Sequence, residues 1–264
     1  MKLHVEGIGL LGPGLPDWAT GAPILAGRTR HEAAPVTLMP SVLLPPAERR
    51  RMTDTVKLAL AIGSEAVAQA GREAEDLPSV FTSSGGDGVT ITSILAILAS
   101  AQRDVSPTRF HNSVHNAPSG YWSIATQSRE SSTSLCVFDY SFGAGLMEAA
   151  SLAVTDGRPV LLVSYDMPYP ATLNAVRPIG SIFGTALVLA PEPSARSLAA
   201  LTLSFGPSDA VEATLPAPAL EALRANNPSA RALPLLIAIA EGAQREVTIR
   251  MMAGNLLTIG VAAP

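Results

Sequence analysis

The sequence alternates between short apolar runs, turns of small residues and longer apolar stretches, and this order limits the fold more than any other feature. Residues 79–83 are strand-like, 84–88 read SGGDG, and 89–101 are apolar enough for a buried helix. The pattern returns with a strand at 132–138, a helix at 141–154 and a strand at 159–164. Such alternation predicts an α/β fold in which helices pack against a sheet.

The remaining segments extend this pattern in both directions. Residues 13–46 are rich in Pro and Gly, which predicts a surface-wrapping segment. Pro46 fits a first helical turn, and Gly71 fits the stop of that helix. Further strands are predicted at 3–11, 182–190, 199–205, 246–252 and 255–261, and further helices at 46–70, 217–226 and 232–240.

Composition limits the classes of function. Of 264 residues, 47% are hydrophobic and 15% charged, which favours an obligate oligomer with covered apolar faces. The apolar runs are shorter than the roughly 20 residues that a membrane span needs. Gly and Pro interrupt the apolar N-terminus, so we expect a cytoplasmic protein. A net charge of −4 without long basic runs predicts no nucleic-acid partner.

Three groups of residues suggest ligand chemistry only weakly. The one cysteine, Cys136, excludes an internal disulfide and a multi-cysteine metal site. His111 and His115 lie four residues apart without a patterned third ligand, and Pro107 and Pro118 make one helix across them doubtful. The glycines at 85, 86 and 88 lack the Lys-Ser/Thr of a P-loop, so tight backbone packing is predicted there. We therefore expect no cofactor and no metal.

Four strings, in this order, resemble the N-terminal half of the β-ketoacyl synthases, which are thiolase-like condensing enzymes. They are VEGIGLLGPG at 5–14, TSSGGDG at 82–88, NAPSG at 116–120 and IFGTALVL at 182–189. Within this family, residues 106–126 most resemble the short chain-length-factor-like proteins of aryl polyene biosynthesis. The resemblance implies a thiolase-like α/β fold with a ketosynthase-like domain at 1–190. Residues 191–264 would then be a shortened C-terminal remnant packed on the same core.

The resemblance also implies that the catalytic residues are missing. Family members carry a nucleophilic cysteine at the sharp turn between a buried strand and a buried helix. Alignment without gaps from Asn116 to the Ala149-Ala150 pair places Asp139 at that position. Cys136 lies three residues earlier, where a buried structural role in the strand is expected. For Asp139 a helix-capping role is as plausible as a channel role, with Ser141 as a rival cap.

The second catalytic group of the family is a pair of histidines, or a His and an Asn, from the C-terminal half. This chain has His4, His31, His111 and His115, and none follows position 115. The resemblance therefore implies a subunit without catalysis of its own, which pairs with an active β-ketoacyl synthase. Acyl carrier protein would be met indirectly, through that partner.

In the family fold, the strand equivalent to 132–138 pairs with its twofold mate, and the segment equivalent to 108–121 lies against the partner's channel. The resemblance thus marks ten residues for the channel and the interface. They are Phe110, His111, Asn112, Ser113, His115, Asn116, Tyr121, Val137, Asp139 and Phe142.

Two other functions stay open at the level of the sequence. The chain could be an acyltransferase or hydrolase that uses Cys136, or Asp139 with a water molecule. It could also be a stand-alone scaffold that binds acyl groups or acyl carrier protein without a synthase.

Overall fold

The computed structural model describes residues 1–207 and 211–264. Its helices are α1 (Trp18–Leu25), α2 (Pro46–Arg49), α3 (Asp54–Ala70), α4 (Gly88–Leu98), α5 (Pro107–Asn112), α6 (Ala117–Thr126), α7 (Ser141–Asp156), α8 (Ala171–Asn174), α9 (Pro218–Asn226) and α10 (Leu233–Glu241). Its strands are β1 (Lys2–Leu11), β2 (Ser79–Thr82), β3 (Ser132–Leu135), β4 (Val160–Asp166), β5 (Phe183–Ala190), β6 (Ala199–Pro207), β7 (Arg245–Met252) and β8 (Asn255–Ala262).

The strands form one sheet in the order β3-β2-β4-β5-β1-β6-β8-β7. β2 pairs in parallel with both β3 and β4, and the other pairs are antiparallel. The α/β class predicted from the alternation is therefore confirmed, and β3 lies at one end of the described sheet.

Two apolar clusters lie on opposite faces of the sheet. One combines α3 with Tyr121 and Trp122 of α6 and the side chains of β2, β4 and β5 that face them. The other surrounds α7 and α10 and includes residues of β6, β7 and β8. The C-terminal strands therefore share a core with the N-terminal ones, whereas a domain boundary at residue 190 stays a prediction.

The sheet curls so that its last strand returns to α7. A Cβ atom on Gly143 of α7 would lie 2.7 Å from the carbonyl oxygen of Arg250 in β7, so only glycine permits this approach. On the outer face of β6, Thr202 and Ser204 are exposed, whereas Leu201 and Leu203 are buried. This alternation is typical of a sheet with one solvated face.

Most predicted elements are confirmed, with differences that have physical causes. The helix predicted at 46–70 is interrupted, because Thr53 caps a new helix by accepting the N–H of Val56 at 3.4 Å. This new helix, α3, ends at Gly71, as predicted, and Gly71 has the left-handed conformation. α1 and α8 lie in segments rich in proline, where no helix was predicted. No helix in the described residues is long and apolar enough to cross a membrane.

The interpretation of 89–101 as a buried helix is wrong. In α4 only Gly88 and Thr90 are buried, while the side chains of Val89, Leu95 and Leu98 are 61%, 60% and 48% exposed. The helix is apolar on nearly every face and lacks a matching cover within the described chain.

Candidate site at the sheet edge and the strand-to-helix turn

The edge of the sheet is formed by β3, which hydrogen-bonds to β2 on one side only. The N–H of Ser79 donates to the carbonyl of Ser131, and that of Ser83 donates to the carbonyl of Leu135. Because backbone groups alternate along a strand, the N–H and C=O of Ser132 and Ser134 point away from β2. These two residues therefore present the unpaired edge of β3.

The turn between β3 and α7 begins earlier than the sequence predicted. β3 ends at Leu135, so Cys136 and Val137 lie outside it, which corrects the strand predicted at 132–138. Cys136 is exposed, so the predicted buried position is also wrong. Its thiol donates to the carbonyl of Ser84 at 3.2 Å. Phe138, between Cys136 and Asp139, has φ +54°, so the regular strand geometry does not continue to Asp139.

Ser141 holds this turn together. Its buried hydroxyl accepts the N–H of Val137 at 3.0 Å and donates to the carbonyl of Phe138 at 2.8 Å. The carbonyl of Ser141 accepts the hydroxyl of Thr82 at 2.9 Å, which fastens α7 to the end of β2. A bulky residue at positive φ is strained, and these contacts keep Phe138 in that conformation.

Asp139 does not cap α7, and the residue at the N-cap, Tyr140, makes no side-chain cap. Both capping hypotheses, for Asp139 and for Ser141, are therefore wrong. Oδ1 of Asp139 instead accepts a hydrogen bond from Nη2 of Arg177 at 2.6 Å. The same guanidinium lies 3.7 Å from the ring centroid of Phe138.

The segment between β4 and β5 covers the turns that follow β2 and β3. Arg177 belongs to this segment, and so does Tyr169, whose ring would collide with a Cβ atom on either Gly85 or Gly88. The tight packing predicted for these glycines is therefore confirmed.

A buried carboxylate lies behind these turns. Asp166, at the end of β4, accepts hydrogen bonds from Ser84 and Ser229. Burial raises the pKa of Asp166 to about 6, against the opposing effect of these hydrogen bonds. Since the side chain is enclosed, it connects β4 with the turn after β2 and with the 3₁₀ turn Ser229–Ala232.

The segment predicted to lie against a channel forms α5, a tight connection and α6. Phe110, His111 and Asn116 are exposed, and Ser113 donates its hydroxyl to the carbonyl of Phe110 at 2.8 Å. Asn112 is buried, and its amide donates to the carbonyl of Arg51 at 2.9 Å.

Tyr121 is buried beside this segment and completes its packing. Its hydroxyl donates to Asn112 Oδ1 at 3.1 Å, and its ring meets that of His111 edge-on at 6.0 Å. Burial raises the pKa of Tyr121. Five of the predicted residues, from Phe110 to Ser113 together with Tyr121, therefore come together around α5.

His115 differs from the other predicted residues because both of its ring nitrogens are shielded from solvent and have no hydrogen-bond partner within residues 1–207 and 211–264. Burial lowers the pKa of His115, which favours the neutral imidazole. The ring lies near Gly86, so it links α5 and α6 to the turn after β2. No group of three or more potential metal ligands occurs in the described chain.

Val137, Asp139 and Phe142 form a separate group at the start of α7. Val137 and Asp139 are partly exposed, whereas Phe142 is fully buried in the core around α7. A channel role for any of the ten residues stays a prediction.

A cavity of about 290 Å³ lies between the first turns of α3 and α4. Met52, Thr55, Val89 and Met167 contribute to its lining, and Asp87 caps α4 at its edge by accepting the N–H of Thr90 at 2.9 Å. Met52 directly follows Arg51, the partner of Asn112, so the cavity adjoins the α5 segment. Sequence reasoning missed this cavity, because its lining comes from three separate segments.

Sequence reasoning also missed Phe138, Asp166 and Arg177. The run VLLVSYD, in which an apolar strand ends in Asp166, carried a signal, since a carboxylate at that place needs partners. Arg177 carried none, because its contact with Asp139 joins residues 38 positions apart.

Comparison with known structures shows the same fold in ketosynthases and their complexes. A chain of the ketosynthase ApeO in complex with its chain length factor ApeC from Xenorhabdus doucetiae superposes with a TM-score of 0.74, at 21% identity over 98% of this chain and 99% of that one. A chain of the ishigamide ketosynthase/chain length factor gives a TM-score of 0.73 at 16% identity, over 99% of both chains.

Longer ketosynthases match only in part. The ketosynthase from module 1 of the bacillaene synthase from Bacillus amyloliquefaciens FZB42 gives a TM-score of 0.56 at 14% identity, over 85% of this chain and 50% of that one. The fold is thus thiolase-like and truncated relative to full ketosynthases. No curated protein sequence matches the chain.

The family model "Beta-ketoacyl synthase, N-terminal domain" matches residues 25–252, which contain the β2 and β3 turns, α4 and the cavity. The match covers most of the sequence and agrees with the observed fold. The chain therefore belongs to the family of β-ketoacyl synthase N-terminal domains.

Proposed function

We propose that the chain is a non-catalytic subunit that pairs with an active β-ketoacyl synthase and shapes the channel in which the partner's acyl chain grows. The observation that carries this proposal is the unpaired edge of β3 beside the exposed apolar helix α4. An open strand edge next to exposed apolar side chains promotes association, and proteins usually cover both. A synthase subunit with the same fold offers the complementary edge.

The residues of the turn between β3 and α7 support a subunit without catalysis of its own. Asp139 is engaged by Arg177, and Phe138 holds the strained position of the turn. The sequence has no histidine after His115. Loss of a nucleophile alone costs on the order of a millionfold in rate in a well-studied protease. The partner therefore performs the condensation, and it also receives the acyl carrier protein.

The cavity between α3 and α4 supports the channel part of the proposal. Met52, Val89, Met167 and Pro168 give its lining an apolar part, it adjoins α5, and the exposed helix α4 would lie in the surface that the partner covers. We infer that it receives the far end of a polyene or fatty-acyl chain, whose length is then limited by its walls.

Co-expression with an affinity-tagged ketosynthase from the same gene cluster tests the pairing. Ser134→Pro removes an outward N–H of β3 without removing a bond to β2, because proline is tolerated on an edge strand. We expect the wild-type chain to be recovered with the synthase, and the proline variant to be lost from the complex while remaining folded.

Ser134→Ala is the matched control, since it removes the hydroxyl and keeps the N–H. If the proline variant is recovered as well as the alanine variant, pairing through the edge of β3 is wrong. The intact mass of the chain after incubation with acyl and malonyl thioesters tests whether the chain lacks catalytic activity. A stable adduct on Cys136 that disappears in Cys136→Ser would favour the acyltransferase function instead.

A further inference from the structure

Phe138 has two features that are unfavourable for an isolated chain. Its backbone has φ +54°, a conformation that bulky residues avoid, and the residue is 56% exposed to solvent. The turn needs the positive φ but not the phenyl ring, because the hydrogen bonds of Ser141 use backbone groups that glycine also has. The identity of the side chain at 138 therefore calls for a contact outside the described chain.

The ring is held in place rather than mobile. Arg177 stacks on one face at 3.7 Å from the centroid and is itself fixed by Asp139 at 2.6 Å. The guanidinium side chain is only 19% exposed, so the contact is partly shielded from water. The other face of the ring remains free, which leaves a rigid aromatic surface that loses little entropy on binding.

We propose that Phe138, held by Arg177 and Asp139, is an anchor of the interface with the synthase subunit. This inference rests on the proposed function. A protein surface fits better than an acyl chain, because a guanidinium-carboxylate pair beside a hydrocarbon chain would lose water without new polar partners. Interface anchors, in contrast, combine aromatic residues and arginine with a polar rim. Three residues span at most about 11 Å, so Phe138 lies close to the end of the edge strand β3.

The affinity of the purified chain for the tagged synthase tests the anchor. Phe138→Ala should raise the dissociation constant at least about 10-fold. Arg177→Ala should raise it by about 3-fold or more, because the ring loses its support, and Arg177→Lys should restore only part of the affinity. Val154→Ala is the control, since Val154 is 45% exposed near the opposite end of α7, roughly 20 Å from the turn by the rise of the helix, and its truncation should leave affinity unchanged.

Phe138→Gly separates an anchor from a structural residue. Glycine relieves the strain at positive φ, so the melting temperature of the isolated chain should stay the same or rise, while affinity falls as for alanine. A lower melting temperature together with lower affinity would show a structural role and overturn the anchor. Wild-type affinity of both variants would also overturn it, with the proposed function intact. If the wild-type chain fails to bind the synthase, the proposed function itself fails.

Discussion

The N–H and the hydroxyl of Ser84 both donate to the same oxygen of Asp166, at 2.9 and 2.7 Å. These bonds lower the pKa of the carboxyl, but burial outweighs them and raises it to about 6 from an ordinary value of 3.8. The folded state therefore binds the proton more tightly than the unfolded chain does. The extra stability that protonated Asp166 gives the folded state is fully present below pH 3.8 and is lost as the pH rises through about 6.

The substitution Asp166→Asn should remove the part of the pH dependence of stability that comes from this carboxyl group. The full shift corresponds to roughly 3 kcal/mol, most of which falls between pH 4 and pH 7. The difference in unfolding free energy between variant and wild type, measured with denaturant, should therefore change in favour of the variant as the pH rises. A constant difference across this range would mean that Asp166 keeps an ordinary pKa. Comparing the variant with the wild type at each pH cancels the pH-dependent contributions of the other carboxylates, including that of Glu6, whose pKa is lowered.

Gly88→Ala should destabilise the chain, because its Cβ atom would collide with the ring of Tyr169. We expect a loss of about 1–3 kcal/mol in unfolding free energy, as for other overpacked sites. Gly120→Ala is the control, since nothing lies within 4 Å of its Cβ position in α6, and it should be neutral or stabilising. Adding Tyr169→Ala to Gly88→Ala should recover part of the loss. Additive effects of the two substitutions would argue against this contact.

Ser141→Ala tests whether one hydroxyl fixes the turn after β3. Its removal leaves the N–H of Val137 without a partner and should cost about 1–3 kcal/mol in unfolding free energy. Ser123→Ala serves as the comparison, because that hydroxyl only donates back to the carbonyl of Ser119 within α6. Equal losses in the two variants would show that the turn does not depend on Ser141.

The sequence was most informative where local signals and packing agree. β1, α7 and the glycines at 85 and 88 were predicted because apolar runs, turn residues and close packing point the same way. α4 was predicted as a helix, but apolar periodicity cannot distinguish burial within a chain from burial against a partner.

The turn after β3 shows where such reasoning ends. Asp139 precedes a helix, which favours a cap, yet it binds Arg177 from a segment with no apolar period. The positive φ of Phe138 has no local sequence signal, because the hydrogen bonds of Ser141 and the sheet impose it. The cavity beside α4 needs the relative placement of α3, α4 and the segment after β4, which only the tertiary fold provides.

Thr55→Phe tests whether that cavity limits product length. Thr55 is buried at the cavity wall, where its hydroxyl approaches the sulfur of Met167 at 3.5 Å. A phenyl ring there should narrow the cavity of about 290 Å³ without touching the edge of β3. The complex with the synthase should therefore still assemble, while its longest products become shorter by about one two-carbon unit or more.

Mass spectrometry of the products from co-expressed complexes measures this effect. Thr202→Phe, on the exposed outer face of β6, is the control and should change neither assembly nor length. Complex recovery must be compared alongside, because a misfolded variant would reduce the yield of all products rather than shift their length. Full-length products from a well-assembled Thr55→Phe complex would show that the acyl chain does not enter the cavity, since the narrowed cavity would hold less of the chain.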